Sequence, residues 1–426
     1  MRLVGGVTKT TTSVFSIRPD RERGEYAGVR RPRRCSRGRR CRRCPNVGRQ
    51  MAPPRLSPLV QCLLIVLCRT AAAQPVPLIK LDGPAEKVSA GFQRLSAIRE
   101  LSDGRVLVAD ARSSRLLIAD FRANTVMPVG RTGRGPSEYL SVNSLVALPG
   151  DSSMFADHRA RRWVIVAKAG VTASVPSPTP VLTGVRGGSL LGSDLGGHFL
   201  TAARRSIRPG DPGPKAEDST VLLLSNRRTG RVDSIAKLRP EPLSVTAPRP
   251  TDDGRTVTTL SLVPFAAPEQ AVLFVDGWIA VVRLDPYRVD WRRPDGSWEK
   301  GVPLPHNPVE VTARELRALT EREIRRTGHS EYDTTAANRG SRSITPIERG
   351  ALLAVPDGRL LVRRTATANA PESAYDLVDR RGHLSARIHL DEKDEIVGFG
   401  SKSVYSVTFD ANGLQRLRRQ LWPPIH

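Results

Sequence analysis

Three groupings of residues in this sequence have types and spacings that could do chemistry. Gly130-Arg131-Thr132-Gly133-Arg134-Gly135 has the glycine content and basic side chains of a phosphate cradle. Asp110 with Arg115, and Asp157 with Arg162, repeat one acid–base pair at one spacing, as an acidic or anion-binding ring would. Cys35, Cys41 and Cys44 bring three potential thiolate ligands close together. Each has a plainer explanation. The glycines are spaced Gly-x-x-Gly-x-Gly, no Gly-Lys-Ser/Thr follows, and no helical pattern succeeds Pro136. A dinucleotide site needs strand, turn and helix together, so the stretch reads as a connecting loop. Asp side chains commonly accept hydrogen bonds from turn amides, and their recurrence at equivalent positions reads as a turn brace. The three cysteines lack a fourth ligand at a suitable distance along the chain.

The remaining candidates are scattered. His158, His198, His306, His329, His383 and His389 form neither His-Glu-x-x-His nor His-x-His. On an extended strand His383 and His389 stand about 20 Å apart, too far to chelate one ion by themselves. Neither Gly-x-Ser-x-Gly nor Ser-x-x-Lys occurs with supporting residues, so nothing marks a serine hydrolase. No catalytic, cofactor-binding or metal-ligating residue is assigned, and no cofactor is implied.

The whole-chain charge of +25 over 426 residues is a mixture. Residues 1–50 hold 15 basic and 3 acidic residues, and residues 51–73 hold 2 Arg and no acid. Residues 74–426 therefore keep 50 basic and 39 acidic residues, a net charge of +11. Met51 opens a second possible start: Arg55 supplies a short positive region, Leu59 to Cys68 is mostly apolar, and Ala71-Ala72-Ala73 precedes Gln74. That order is the anatomy of a secretory signal peptide, and ten apolar residues are too few for the ~20 of a spanning helix. Residues 1–50 then read as a non-native or disordered Arg-rich extension, 51–73 as a signal peptide and 74–426 as the folded domain. All five cysteines precede the cleavage point. The mature domain has no disulfide or thiolate site, and its stability must come from packing and backbone pairing.

Export also removes nucleic acid as a partner. The arginine pairs at 161–162, 204–205, 227–228, 292–293 and 325–326 are dispersed, as on solvated faces, and assign no specific partner.

What must position any site is a repeat. Asp103-Gly104 leads into Val106-Leu107-Val108-Ala109-Asp110, then Arg112, Arg115 and Leu116-Leu117-Ile118. A shift of 47 residues reproduces it as Phe155-Ala156-Asp157, Arg159, Arg162 and Trp163-Val164-Ile165. Asp357-Gly358-Arg359-Leu360-Leu361-Val362 and Asp276-Gly277-Trp278-Ile279-Ala280-Val281-Val282 echo the same turn and strand. Asp-Gly supplies a positive-φ turn and the apolar run after it is strand. Val106 and Val108 point one way, Leu107 and Ala109 the other, so these strands must be covered on both faces. Helical periodicity between strands is nearly absent, which excludes a doubly wound α/β sheet. Stacked sheets solve the burial, and a propeller does so radially. Six units are predicted near 93–138, 139–185, 186–240, 257–304, 345–390 and 391–422. The stretches 203–219 and 240–256 read as long loops. One helix is predicted from Thr312, capped in a Thr-x-x-Glu box with Glu315, through Leu316, Leu319 and Ile324 to about Arg326.

The passage from Asp103 to Asp110, with Arg115-Leu116 and then Gly130 through Gly135-Pro136-Ser137-Glu138-Tyr139, resembles the NHL-like six-bladed β-propellers of bacterial exported proteins. A Gly-Pro-Gly-Glu-Phe-like linker joins blades in that family; here Ser137 and Tyr139 replace the usual Gly and Phe. The match is good over about 93–170 and thin between 186 and 260. The resemblance implies an all-β, six-bladed β-propeller with one inserted helix. It also implies a secreted or periplasmic binding module that recognises a protein, peptide or glycan partner, with no membrane span after signal cleavage. The competing expectation is a metal-dependent hydrolase or lactonase holding a cation at the channel mouth. N-terminal sequencing of the exported protein should begin at Gln74; peptides from residues 1–50 in mature material would contradict the division.

Overall fold

Short apolar runs bounded by tight turns become strands, and the strands pair in chain order into six antiparallel sheets. The computed structural model describes residues 76–423 except 82, 169, 177–184, 206–218, 241, 246–248, 251–255, 258–259 and 328–341. The signal-like segment, all the cysteines and His329 lie outside the described residues. Blade 1 runs Leu95–Glu100, Val106–Asp110, Arg115–Asp120 and Thr125–Pro128; blade 2 runs Val146–Ala147, Ser153–Asp157, Arg162–Ala167 and Gly170–Pro176. Blade 3 is Val185–Ser193, His198–Arg205, Thr220–Asn226 and Val232–Leu238; blade 4 is Gln270–Leu273, Ile279–Leu284, Tyr287–Arg292 and Trp298–Glu299. Blade 5 contains Ile347–Ala354, Leu360–Arg364, Ser373–Val378 and Leu384–Leu390, with Leu78–Lys80 added in parallel at its outer edge. Blade 6 is built from Asp394–Phe399, Ser403–Phe409 and Gln415–Leu421. Each of the six predicted units holds most of one of these sheets; Leu78–Lys80 and the first residue of Val185–Ser193 fall outside them.

Sheets with two apolar faces can be buried only by one another, and the cores record that arrangement. Val106 and Val108 pack with Tyr405, Val407 and Leu417 between blades 6 and 1. Leu107 and Ala109, on the opposite face of the same strand, pack with Phe155, Val164 and Val166 between blades 1 and 2. Trp163 meets Phe199 edge to face between blades 2 and 3. Leu200 and Leu222 join Ile279 and Val281, Ala280 and Val282 join Leu360 and Val362, and Leu361 and Leu377 join Ile396 and Val404. These six interfaces return to their starting point, which makes the domain a six-bladed β-propeller.

Closure uses a strand that precedes the first predicted unit. Glu86–Phe92 pairs antiparallel with Gln415–Leu421, so blade 6 takes three strands from the end of the domain and one from its beginning. Gln415 Oε1 adds a bond from the amide of Leu95, 2.5 Å away, at the same junction.

The repeated Asp residues are braces, with a longer reach than a turn. Asp110 accepts the amides of Gln93 and Arg94 at 3.0 and 2.9 Å. Asp157 accepts the amide of Leu140 at 2.9 Å, the hydroxyl of Ser141 at 3.0 Å and the amide of Ala160 at 3.2 Å. Each buried carboxylate thus pins the segment entering its own blade to the end of the second strand. Arg115 lies exposed across from Asp110, while Arg162 comes within 3.8 Å of Asp157. In the Asp-Gly-Arg turns, Gly104 and Gly358 take φ of 82° and 89°, where a Cβ would be strained. Arg105 forks onto Asp103 and Arg359 onto Asp357.

Helix α1 spans Ala313–Thr327, one residue beyond the predicted end. Thr312 Oγ1 accepts the Glu315 amide at 3.3 Å, but the capping box is only half made. Glu315 instead accepts the amide of Ala368 at 2.7 Å and is buried there, tying the helix to blade 5. Leu319 packs on Phe265 and Ile344, and Ile324 stays exposed. The predicted loop over 240–256 is partly a pair of small ribbons: Leu243–Val245 pairs with Leu260–Leu262 and Arg249–Pro250 with Thr256–Val257. Of the loop predicted over 203–219, residues 203–205 are the end of the strand His198–Arg205, and 206–218 lie outside the described residues. Among the described residues no helix is long and apolar enough to cross a membrane.

Asp157→Ala should lower stability by about 2–3 kcal/mol, since buried amides lose a charged acceptor. Arg115→Ala should leave the urea midpoint unchanged; equal midpoints for Asp157→Ala and the parent would contradict the brace.

Candidate functional site

The innermost strands of blades 1, 5 and 6 all begin at one face of the ring, and α1 enters blade 5 on that face. Together they enclose a cavity of about 280 Å³ at the channel mouth. Its charged lining is Arg94, Arg322, Arg349 and Arg363 against Glu348 and Glu395.

Arg363 organises this mouth. It lies on the second strand of blade 5, with Nε 3.2 Å from Glu348 of the same blade and Nη1 paired to Glu395 of blade 6. Burial opposes its charge, but the two carboxylates outweigh that and hold the guanidinium above the usual arginine range. Beside it the hydroxyl of Tyr375 accepts the amide of Ile396 at 2.9 Å, and burial pushes its pKa up to about 12. Blades 5 and 6 are therefore tied by an ion triple and a buried tyrosine. Blades 4 and 5 are tied by Gln270, whose Nε2 donates to the Glu348 carbonyl at 2.6 Å and whose Oε1 accepts the Ala351 amide at 3.0 Å. Arg349 donates to the carbonyls of Val263 and Ala266 at 3.1 and 2.9 Å. Arg322 of α1 donates to Ala366 at 3.3 Å. Arg94 sits exposed on the rim. The mouth is thus polar, net basic and held from several blades at once.

The groupings weighed in the sequence lie elsewhere. Around Gly130–Gly135 the chain wraps the carboxylate of Glu138, which accepts the Gly135 amide at 2.8 Å and pairs with Arg131 at 2.7 Å. The Gly135 amide and then Arg131 hold that carboxyl below its usual range. A Cβ on Gly133 would fall 2.0 Å from Glu138 Oε2, so this glycine makes room for a side chain of the protein itself. Tyr139 is buried, donating to Val129 O at 2.9 Å and accepting the Leu116 amide at 2.8 Å. The stretch joins blades 1 and 2.

The histidines do not converge. His198 bonds Asp194 at 2.8 Å through Nδ1 and Asn226 at 3.1 Å through Nε2, bracing one end of blade 3. His306 has its pKa lowered by burial and then by Arg364. His383 and His389 pair separately with Asp379 and Glu372. His158 is exposed in a turn of blade 2. Among the described residues no group of three or more His, Cys, Asp or Glu is placed to hold a metal ion.

Sequence reasoning passed over Glu348, Arg363 and Glu395. One signal was present: aligning the Asp-Gly-Arg turns at Asp103 and Asp357 sets Arg363 on Ala109. A guanidinium where its sister blade buries a methyl group marks a blade interface that has been given charge.

No protein-family model and no curated protein matches this chain. Solved structures with similar folds include regucalcin, a calcium-binding protein of Agrobacterium tumefaciens, at 10% identity and a TM-score of 0.41, covering 83% of this chain and 100% of that one. Virginiamycin B lyase of Staphylococcus aureus matches at 10% identity and a TM-score of 0.38, covering 80% and 99%. A Bacteroides fragilis protein inferred to be exported matches at 11% identity and a TM-score of 0.44, covering 82% and 100%. The propeller assignment rests on the strand pairing and the ring of cores in this chain.

Arg363→Met should cost about 3 kcal/mol by leaving two carboxylates facing each other without their cation. Adding Glu348→Gln and Glu395→Gln should recover most of that loss in denaturant unfolding; a triple variant as unstable as the single one would refute the ion triple.

Proposed function

We propose that this chain is an exported, NHL-like propeller whose mouth face recognises a protein, peptide or glycan partner. The observation that carries the reading is the Arg363–Glu348–Glu395 triple. It holds a polar recess rigid across two blades, which limits the entropy lost when a partner docks. The same triple weighs against a cation at the mouth, because the two carboxylates lining it are held by an arginine. Export to the periplasm or the medium is supported by the order of charge, apolar run and small residues between Met51 and Ala73. Recognition by such a site depends on the rim, where Arg94 is exposed and its backbone is anchored by Asp110.

The purified chain should select ligands from peptide and glycan arrays. Arg94→Glu should weaken the selected ligands at least tenfold, while Arg381→Glu, the same charge change on the opposite face, should leave them unaffected. Loss with Arg381→Glu and retention with Arg94→Glu would overturn the reading.

A further inference from the structure

Behind the mouth lies a second, larger chamber of about 670 Å³, running along the innermost strands of blades 3 and 4. Arg349 and Gly350 line both chambers, so the two meet there. The volume falls within the roughly 300–1,000 Å³ of small-molecule sites.

Its walls differ from the mouth. Ala97, Val146, Leu190, Leu191, Val272 and Leu352 supply apolar surface from five blades. The charged side chains of its lining, Arg204, Glu269 and Arg349, stand at the mouth-side ends of their strands, and the polar side chains on the wall are largely engaged with the protein. Gln270 bridges to blade 5, Ser193 donates to the carbonyl of Ala147, and Glu269 accepts from Arg283 and from the amide of Arg239. At the far end Leu195 and Val275 stand 66% and 54% exposed on adjoining turns, joined by a 2.9 Å backbone bond. The axis therefore runs from a mouth with four arginines against two glutamates, past apolar side chains from five blades, to a far end where Leu195 and Val275 are exposed beside the aspartates of the inner turns. The inner strand of blade 4 with its turn, Gln270 to Val275, extends about 17 Å.

From this gradient we infer that the channel binds a small amphipathic carboxylate, an unbranched apolar chain with one anionic head group. The head sits among the mouth arginines, and the chain lies along blades 3 and 4. Charge complementarity sets the orientation, and burial of methylenes supplies affinity. Arg94, at the open rim, can turn to the head group without breaking a bond inside the fold. Arg94 stands at the rim of both this site and macromolecular recognition, so the chain-length and head-group series and Ser189→Trp, rather than an Arg94 variant, tell the two apart.

Calorimetric titration of the purified chain with octanoate, decanoate and dodecanoate, below their aggregation concentrations, tests the inference. Binding should be saturable at one site per chain and tighten about fourfold per added methylene, the equivalent of about 0.8 kcal/mol for each buried CH2. Decanol should bind at least tenfold more weakly than decanoate, and decyltrimethylammonium more weakly still. Arg94→Gln should weaken decanoate several-fold and leave decanol unchanged. Ser189→Trp, which fills exposed space in the chamber wall, should abolish binding while circular dichroism stays native. No binding, an affinity that does not change with chain length, or decyltrimethylammonium binding as tightly as decanoate would overturn the inference. The wild-type chain-length and head-group series decide it even if the tryptophan variant fails to fold.

Discussion

Strands that are apolar on both faces cannot be left at the end of a stack, and that constraint shapes the whole domain. Val106 and Val108 require a neighbour on one side, and Leu107 and Ala109 require another on the other side. A linear pile of such sheets would always expose two greasy faces to water, at roughly 25 cal/mol for each Å². A ring has no ends. Its seam lies where Glu86–Phe92 crosses from the start of the domain to complete the last blade.

The ring brings together residues far apart in the chain. Glu348 and Arg363 belong to blade 5 and Glu395 to blade 6, and their contact lies at the mouth because inner strands begin there. The ion triple is an exception to the apolar rule of the interfaces. A buried cation with two carboxylates contributes little net stability compared with an apolar packing of the same volume, so its presence at the mouth is better understood as shaping a polar surface. The chamber behind it adds apolar inner-strand side chains from five blades, with Arg204, Glu269 and Arg349 at its mouth-side end. The result is a channel whose charged side chains gather at the mouth end, with apolar and small polar side chains mixed along the rest.

Much of the scaffold is legible in the sequence. The Asp-Gly turns, the two-faced strands and the 47-residue self-match lead to blades and to their approximate limits. The Thr312 start of α1 was legible because capping is local: one side chain bonds an amide three residues ahead. Glu315 departed from the capping box because a tertiary partner, the Ala368 amide, competed for its carboxylate. Glu138 was read as part of a linker, yet its place inside the Gly133–Gly135 loop was invisible, since glycine spacing alone does not say whether an outside anion or an internal carboxylate fills the curve.

Sequence alone determined the strand pattern, the turn chemistry, the repeat, the absence of cysteine beyond residue 73 and the composition that divides the chain. These are properties of neighbours along the backbone, where alternation and φ preferences act within a few residues. Tertiary structure decided which strand closes the ring, that Asp110 and Asp157 reach back 17 residues to the blade entry, and that Arg363 meets two glutamates. Those outcomes depend on pairs brought together only when six sheets share one axis, and nothing in the local pattern distinguishes a guanidinium that will face water from one that will face a carboxylate.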